Sequence, residues 1–459
     1  MAYNFHPCDR EQMLLMPPSL EEWLAKDHLA RFLREAVGTM DLSGMYEKYR
    51  EDGIGNTAYD PGMMTEVMLY GYCVGVRSSR KIEKLCGEDV AFRYLAVNHQ
   101  PDHATLARFR AVNEKELGEL FTKVLKLCRE AGLVKVGVVA LDGTKIQGKA
   151  ALAANRTLDS IREEVKRMLK EAKETDEDED RRYGKDKRGD ELPEEWRDGK
   201  DRLSRLKICQ ERLEKAAQEA MKEQAEKIAK RAAEEKETGQ AKRGRKLLAP
   251  EEKVNEEAKA NVTDPESRIL KTQKGFVQGY NAQAVVTLGQ IIVAAEVTQE
   301  ENDQAQLQPM MELAKANLKA VGVSRRMGTG LMDAGYGSES NLKWAMGRKR
   351  KTDYLIATLK DWKQRKALRR SPAPSGRMPE GLSVKDRMDR KLLTRRGRKL
   401  YKLRGCTVEP VFGQVKGAQE FKVFSRKGTK AAQSEWKMVA AAHNLLKLWR
   451  SGAWKRPTS

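Results

Sequence analysis

The chain has 459 residues, with 88 Lys and Arg against 67 Asp and Glu, a formal net charge of +21. That length provides for two to four structural units at roughly 100–200 residues each, and the charge exceeds the magnitude of roughly 2–8 usual for a small soluble domain. A polyanionic partner is expected, nucleic acid before anionic membrane, and no run of about 18 apolar residues offers a transmembrane helix.

The opening MAYNFHPCDREQ has no apolar h-region and does not read as a secretory signal, so a cytoplasmic, nucleoid-associated protein is expected. The six cysteines are scattered without CxxC or Cys/His ligand spacing. Neither a zinc ribbon nor a disulfide scaffold is indicated, and free thiols in a reducing compartment are the simple reading. With five histidines and no HExxH, a histidine-built metal site is not expected.

Residues 1–130 read as helical. Ser19 with Glu22 makes a capping box, followed by Trp23, Leu24, Leu29, Phe32, Leu33 and Val37 at helical spacing. Asp60-Pro61-Gly62 is a break before a Met- and Leu-rich helix. Gly75 to Lys81 interrupts that helix, which restarts through Ile82 and Leu85. Pro101-Asp102 caps another helix. Short helices with basic residues at their starts suggest a helix-turn-helix layout, and 1–130 is taken as an N-terminal DNA-binding unit.

The texture changes at 131–155. The apolar run Lys135 to Leu141 suits a buried strand ending at Asp142-Gly143, a turn signal. From 156 to 270 the chain is very polar. Leu158, Ile161, Val165, Met168 and Leu169 have helical spacing, and a second helical stretch runs from Leu203 to Ala233. Between them a block of mixed charge beginning at Glu174 cannot bury enough apolar surface to order itself. A charged helical hairpin or coiled-coil arm, inserted after the first core strand, is predicted.

From 271 to 459 the core resumes. Two strands around a Leu288-Gly289-Gln290 turn form a hairpin, followed by a helix from Asp303 to about Ala320. A short strand from Gly328 ends in Asp333. A helix over Glu339–Met346, a strand over Asp353–Thr358, a basic loop to about 405 and a final helical region complete the order.

Two predicted strands thus end in aspartate, Asp142 and Asp333, and in a central sheet they can lie side by side. Glu409 opens the late helix and completes a triad. Three converging carboxylates repel one another unless a cation is present. Hard oxygen donors select Mg²⁺ or Mn²⁺. Two such ions about 3.5–4 Å apart activate an attacking oxygen and stabilise a leaving one at a phosphodiester.

Several segments together resemble the DDE transposases of bacterial insertion sequences: LDGTK at 141–145, GYNAQ at 279–283, MDAGYGS at 332–338 and VEPVFGQVK at 408–416. YDP at 59–61, GVRSSR at 75–80, HATLARFR at 103–110 and AAHNL at 441–445 add to the likeness. The resemblance implies an α/β protein: an RNase H-like mixed-sheet core with a helical N-terminal domain. It makes Asp142, Asp333 and Glu409 the metal-binding triad. Lys416, two helical turns beyond Glu409 and on the same face, becomes a contact to the phosphate near the cut. Tyr401 and Arg404 complete the family's Tyr, Arg, Glu, Lys signature. Here four residues separate Arg404 from Glu409, where the family pattern has three.

The reaction implied is cleavage of one strand at the transposon end by water, then attack of the freed 3′ hydroxyl on target DNA. Partners would be double-stranded DNA at the inverted repeats and at the target, with a homodimer joining two ends. Candidate DNA contacts are Arg77, Arg80 and Lys81 at one helix start and Arg108 and Arg110 at another. The basic stretch 387–404, with Arg395, Arg396, Arg398, Tyr401 and Arg404, is a phosphate-contacting segment. Two alternatives stand beside this reading: a non-catalytic DNA-binding protein with a coiled-coil arm, and a metal-dependent nuclease without strand transfer.

Overall fold

The computed structural model describes residues 19–49, 57–183, 194–238, 247–253, 255, 257–272, 275–347 and 352–454. Among them, no helix is long and apolar enough to cross a membrane. The strands in chain order are β1 (Val138–Gln147), β2 (Asn155–Thr157), β3 (Lys259–Asn261), β4 (Arg268–Thr272), β5 (Gly275–Thr287), β6 (Ile292–Thr298), β7 (Thr329–Met332) and β8 (Asp353–Ile356).

Six of these form one mixed sheet. One edge of β5 pairs antiparallel first with β4 and then with β6; its other edge pairs antiparallel with β1. β1 pairs in parallel with β7, and β7 in parallel with β8. The strands hold apolar residues with few breaks (Val139, Ala140 and Leu141 on β1, Ala284 to Val286 on β5, Leu331 and Met332 on β7), all fully buried. That is the pattern of a sheet covered on both faces.

The C-terminal helix Thr429–Ser451 covers the sheet and joins it to the N-terminal helices. It packs against β6 and against the helices Glu114–Glu130 and Pro61–Cys73, and one apolar core runs through all of them. Its polar residues are matched to strand backbone. Asn444 Oδ1 accepts from Ile292 N at 2.9 Å while its Nδ2 donates to Ile292 O at 2.8 Å. Trp436, fully buried, donates from Nε1 to Gln283 O at 2.9 Å.

The helices Leu158–Tyr183 and Glu194–Thr238 pack on each other. Ile161, Val165, Leu206, Cys209 and Leu213 form a second, separate core with Ala260 and Val262 beside the β2–β3 ribbon. The mixed-charge block is helical as far as Tyr183; its residues 184–191 lie outside the described residues.

The helix reaching Tyr183 overturns the expectation that the mixed-charge block cannot order itself, and three further expectations change. Ser19 does not open a helix: residues 20–23 are a turn, Trp23 is exposed, and among the described residues the first helix begins at Leu29. Its cap is His28, whose Nδ1 accepts from Ala30 N at 3.1 Å. Arg31 donates to Leu24 O at 3.1 Å and ion-pairs with Glu21 at 2.8 Å, which holds the preceding turn outside the helix. Secondly, β1 does not stop at Asp142-Gly143, because β5 continues to pair with it as far as Gln147. Thirdly, the basic segment before 405 is largely helical, in three pieces at Asp361–Arg370, Val384–Leu393 and Arg395–Lys402. Ser383 and Thr394 cap the second and third, accepting from Asp386 N and Gly397 N.

Candidate active site

Asp142 stands on β1 just past the point where its parallel pairing with β7 ends. That pairing covers Val138 to Ala140 against Thr329 to Leu331, whereas on the other edge Asp142 faces Ala284 and Gly143 faces Gln283. Asp333 directly follows β7 and caps a short turn, accepting from Gly335 N at 2.9 Å. Two neighbouring strands therefore deliver two carboxylates at the same end of the sheet. Glu409 is the first residue of the helix Glu409–Lys416, where its charge is favoured by the helix dipole.

Arg404 brings the three acids together. Its Nη2 lies 2.8 Å from Asp142 Oδ2 and 3.7 Å from Asp333 Oδ2, and its Nη1 lies 3.2 Å from Glu409 Oε1. Arg404 is buried, with 7% of its surface exposed. The Asp142 carboxyl is raised well above the usual carboxylate range. Burial is the main cause; the Arg404 charge opposes it, and the Asp333 and Asp303 charges add to it.

Asp303 is a fourth acid that no motif announced. Its Oδ1 accepts from Asn281 Nδ2 and Gln283 Nε2, both at 2.7 Å, and lies 4.0 Å from Lys145 Nζ. Gln283 is itself held by the buried Tyr336, whose hydroxyl donates to Gln283 Oε1. The polar residues of GYNAQ and the tyrosine of DAGYGS thus anchor a carboxylate beside the triad. Lys145 Nζ also donates to Glu301 O at 2.6 Å, and Lys416 Nζ donates to Lys145 O at 3.4 Å.

Could these residues hold a divalent cation? Among the described residues no three acids already stand as a closed ligand set, because the Arg404 guanidinium stands between them. The donors are all carboxylate oxygens, and one guanidinium does not balance Asp142, Asp333, Glu409 and Asp303. An oxygen-only, negatively charged cluster fits a hard divalent cation once the guanidinium moves.

The expected DNA contacts divide into two sets. Arg80, Lys81 and Arg108 are exposed on the helices Ser79–Glu88 and His103–Val112. Arg77, partly buried, and Arg110, buried, are instead engaged with other parts of the protein. Arg77 lies over the Phe421 ring at 4.6 Å and donates to Glu420 O at 3.1 Å. Arg110 is buried and donates to Arg77 O at 2.9 Å. In the basic stretch Arg395 and Arg396 are exposed, but Arg396 ion-pairs with Asp353 at 3.2 Å. Arg398 donates to Leu393 O and Ser371 O, and Tyr401 is buried.

Two family models match the chain, and both describe transposases. Residues 18–112 match the Transposase domain (DUF772) and residues 377–449 match the Transposase DDE domain. The second match contains Arg404, Glu409 and Lys416. Together the two matches support a DDE transposase of insertion-sequence type, a class whose substrate is DNA. No curated protein and no solved structure matches the chain.

Proposed function

We propose that this transposase cuts transposon ends and joins them to target DNA, using two Mg²⁺ or Mn²⁺ ions held by Asp142, Asp333 and Glu409 on an RNase H-like core. One observation carries the reading: carboxylates from three distant parts of the chain meet on one guanidinium. When bound, the ions would supply activation of the attacking oxygen and charge neutralisation at the leaving one.

The chain's own groups do the rest. The Asn281 and Gln283 amides fix the Asp303 carboxylate, which adds negative charge beside Asp142. Lys416, at the end of the helix that Glu409 begins, contacts the phosphate next to the cut. Residues 1–130 bind DNA through Arg80, Lys81 and Arg108, residues 131–155 and 268–459 form the catalytic core, with β4 in its sheet, and the stretch between them is an inserted arm. The net charge of +21 makes binding strongly salt-dependent, and a homodimer brings two ends together.

The test is cleavage and joining of DNA carrying the element's own ends, with Mg²⁺ or Mn²⁺, by the wild type and by Asp142→Asn, Asp333→Asn and Glu409→Gln. Loss of both steps in each variant is expected. Activity persisting in the variants removes the triad, and cleavage without joining leaves a nuclease.

A further inference from the structure

A cavity of about 770 Å³ opens beside the carboxylate cluster, on the β5 side of β1. Gly143 and Thr144, the two residues after Asp142, form part of its wall, with Lys145, Lys271, Lys416 and Lys422. Among the described residues no carboxylate lines it.

The four lysines come from four chain segments, each held by backbone. Lys145 is on β1 and Lys271 on β4. Lys416 ends the helix that Glu409 begins, and its Nζ reaches the Lys145 carbonyl. Lys422 is fixed where Gln147 N donates to Lys422 O at 3.2 Å and Phe424 N donates to Gln147 O at 2.8 Å. Four cations so placed repel one another, and among the described residues only Lys145 has an acid within ion-pair reach, Asp303 at 4.0 Å. Lys145 and Lys416 are half-buried, and burial pulls both ammonium groups below their ordinary value. An anion in the groove would relieve both the repulsion and the lost solvation.

The basic stretch 387–404 offers a contrast. It lies against β8, the strand at the far edge of the sheet from β4, and several of its cations already have partners within the protein. Lys391 pairs with Asp353 at 2.6 Å, Arg396 pairs with the same carboxylate, and Arg390 donates to Ser375 O at 2.6 Å.

We propose that the lysine-lined groove is the track for the DNA strand as it runs away from the carboxylate cluster, with Lys145, Lys271, Lys416 and Lys422 contacting backbone phosphates and reading no bases. The proposal rests on the reading that the cluster cuts DNA. It adds a phosphate-binding surface made by β1, β4 and the 416–422 segment.

The test uses the full-length protein and Lys271→Ala/Lys422→Ala, two exposed positions whose loss leaves the core intact. Binding to a fluorescein-labelled duplex of arbitrary sequence is measured in EDTA across a salt series. Each phosphate contact contributes about 0.9 to the slope of log K against log salt, so the double variant should show a slope shallower by about 2. Lys315→Ala/Lys319→Ala, on the helix Leu307–Ala320, removes the same charge elsewhere and should leave the slope unchanged. An unchanged slope in the groove variant, or an equal loss in the control, overturns the proposal. Cleavage is read separately. Asp142→Asn should keep the wild-type slope and lose cleavage. A normal slope in the groove variant with wild-type cleavage intact discards the groove and keeps the catalytic reading. The expected slope change with no cleavage by the wild type keeps the groove and discards that reading.

Discussion

Arg404 Nη2 donates to Asp142 Oδ2 at 2.8 Å, although the two residues are on elements far apart in the chain. The same guanidinium reaches Asp333 and Glu409, so one fixed positive charge serves as counterion for three acids. On the proposed reading, a divalent cation bound by those acids would take the place of that charge.

Arg404→Ala therefore has two expected effects. Without metal, the largely buried Asp142 carboxyl loses its counterion, and a stability loss of about 3–5 kcal/mol follows from breaking such a buried pair. With Mn²⁺, the variant should gain more in Tm than the wild type, because no guanidinium has to be displaced. Thermal melts of both proteins with and without Mn²⁺ check this. Equal shifts in the two would mean that Arg404 does not compete with the ion.

Gly143 is a second constrained position. A Cβ there would collide with Gln283 Nε2 and would lie 2.7 Å from Asp303 Oδ1 and 2.9 Å from Asn281 Oδ1. Gly143→Ala should destabilise the fold by about 1–3 kcal/mol, as overpacking does, and should reduce cleavage by displacing Asp303. A Tm within a degree of wild type would show that the amides move aside freely.

Gly143 also shows why part of the site was hidden in the sequence. Asp-Gly is a turn signal when read locally, but here β5 supplies a partner for both residues and the strand continues. Asp142, Asp333 and Glu409 could be singled out because each sits where a predicted element ends or begins, and they lie around one guanidinium. Asp303 was not: its carboxylate reaches the cluster through side-chain amides on β5, a contact with no sequence period. Lys271 and Lys422 were hidden for the same reason, since they become neighbours only through the backbone pairing of β4 with β5 and of the 422–424 segment with Gln147. Conversely, Arg77 and Arg110 looked like surface cations because helical spacing does not reveal that the 420–425 segment covers them.

That covering separates two kinds of arginine on neighbouring helices. Arg110 is buried beside the fully buried Glu435, whose carboxyl burial pushes up and whose Oε2 accepts from Ser425 N at 2.8 Å. Arg110→Ala should lower stability by about 0.5–3 kcal/mol, by removing one of the two guanidinium charges, with Arg77, that offset a buried acid. Arg108→Ala, on the exposed face, should leave the Tm unchanged and weaken DNA binding at low salt. Melting curves and binding isotherms on the two variants separate the roles. The reverse pattern would place Arg110 at the DNA.

His443 gives a pH-dependent prediction far from the acids. It is buried in the C-terminal helix, and its Nε2 donates to Gln290 O at 2.9 Å. Burial lowers its pKa from 6.5 to about 4, and the Lys447 and Arg450 charges push the same way against the Gln290 hydrogen bond. Between those values the unfolded chain binds a proton that the folded chain does not. Stability from this group is therefore complete above about pH 6.5 and falls as the pH drops towards 4, by up to about 1.4 kcal/mol per pH unit. His443→Gln keeps a donor for the Gln290 carbonyl and cannot titrate. Its stability should be lower at pH 7 through imperfect packing, yet the gap to wild type should narrow steadily between pH 6.5 and 4.5. Urea unfolding of both proteins across that range checks it. Parallel curves would mean that His443 binds its proton in the folded state as readily as in the unfolded one.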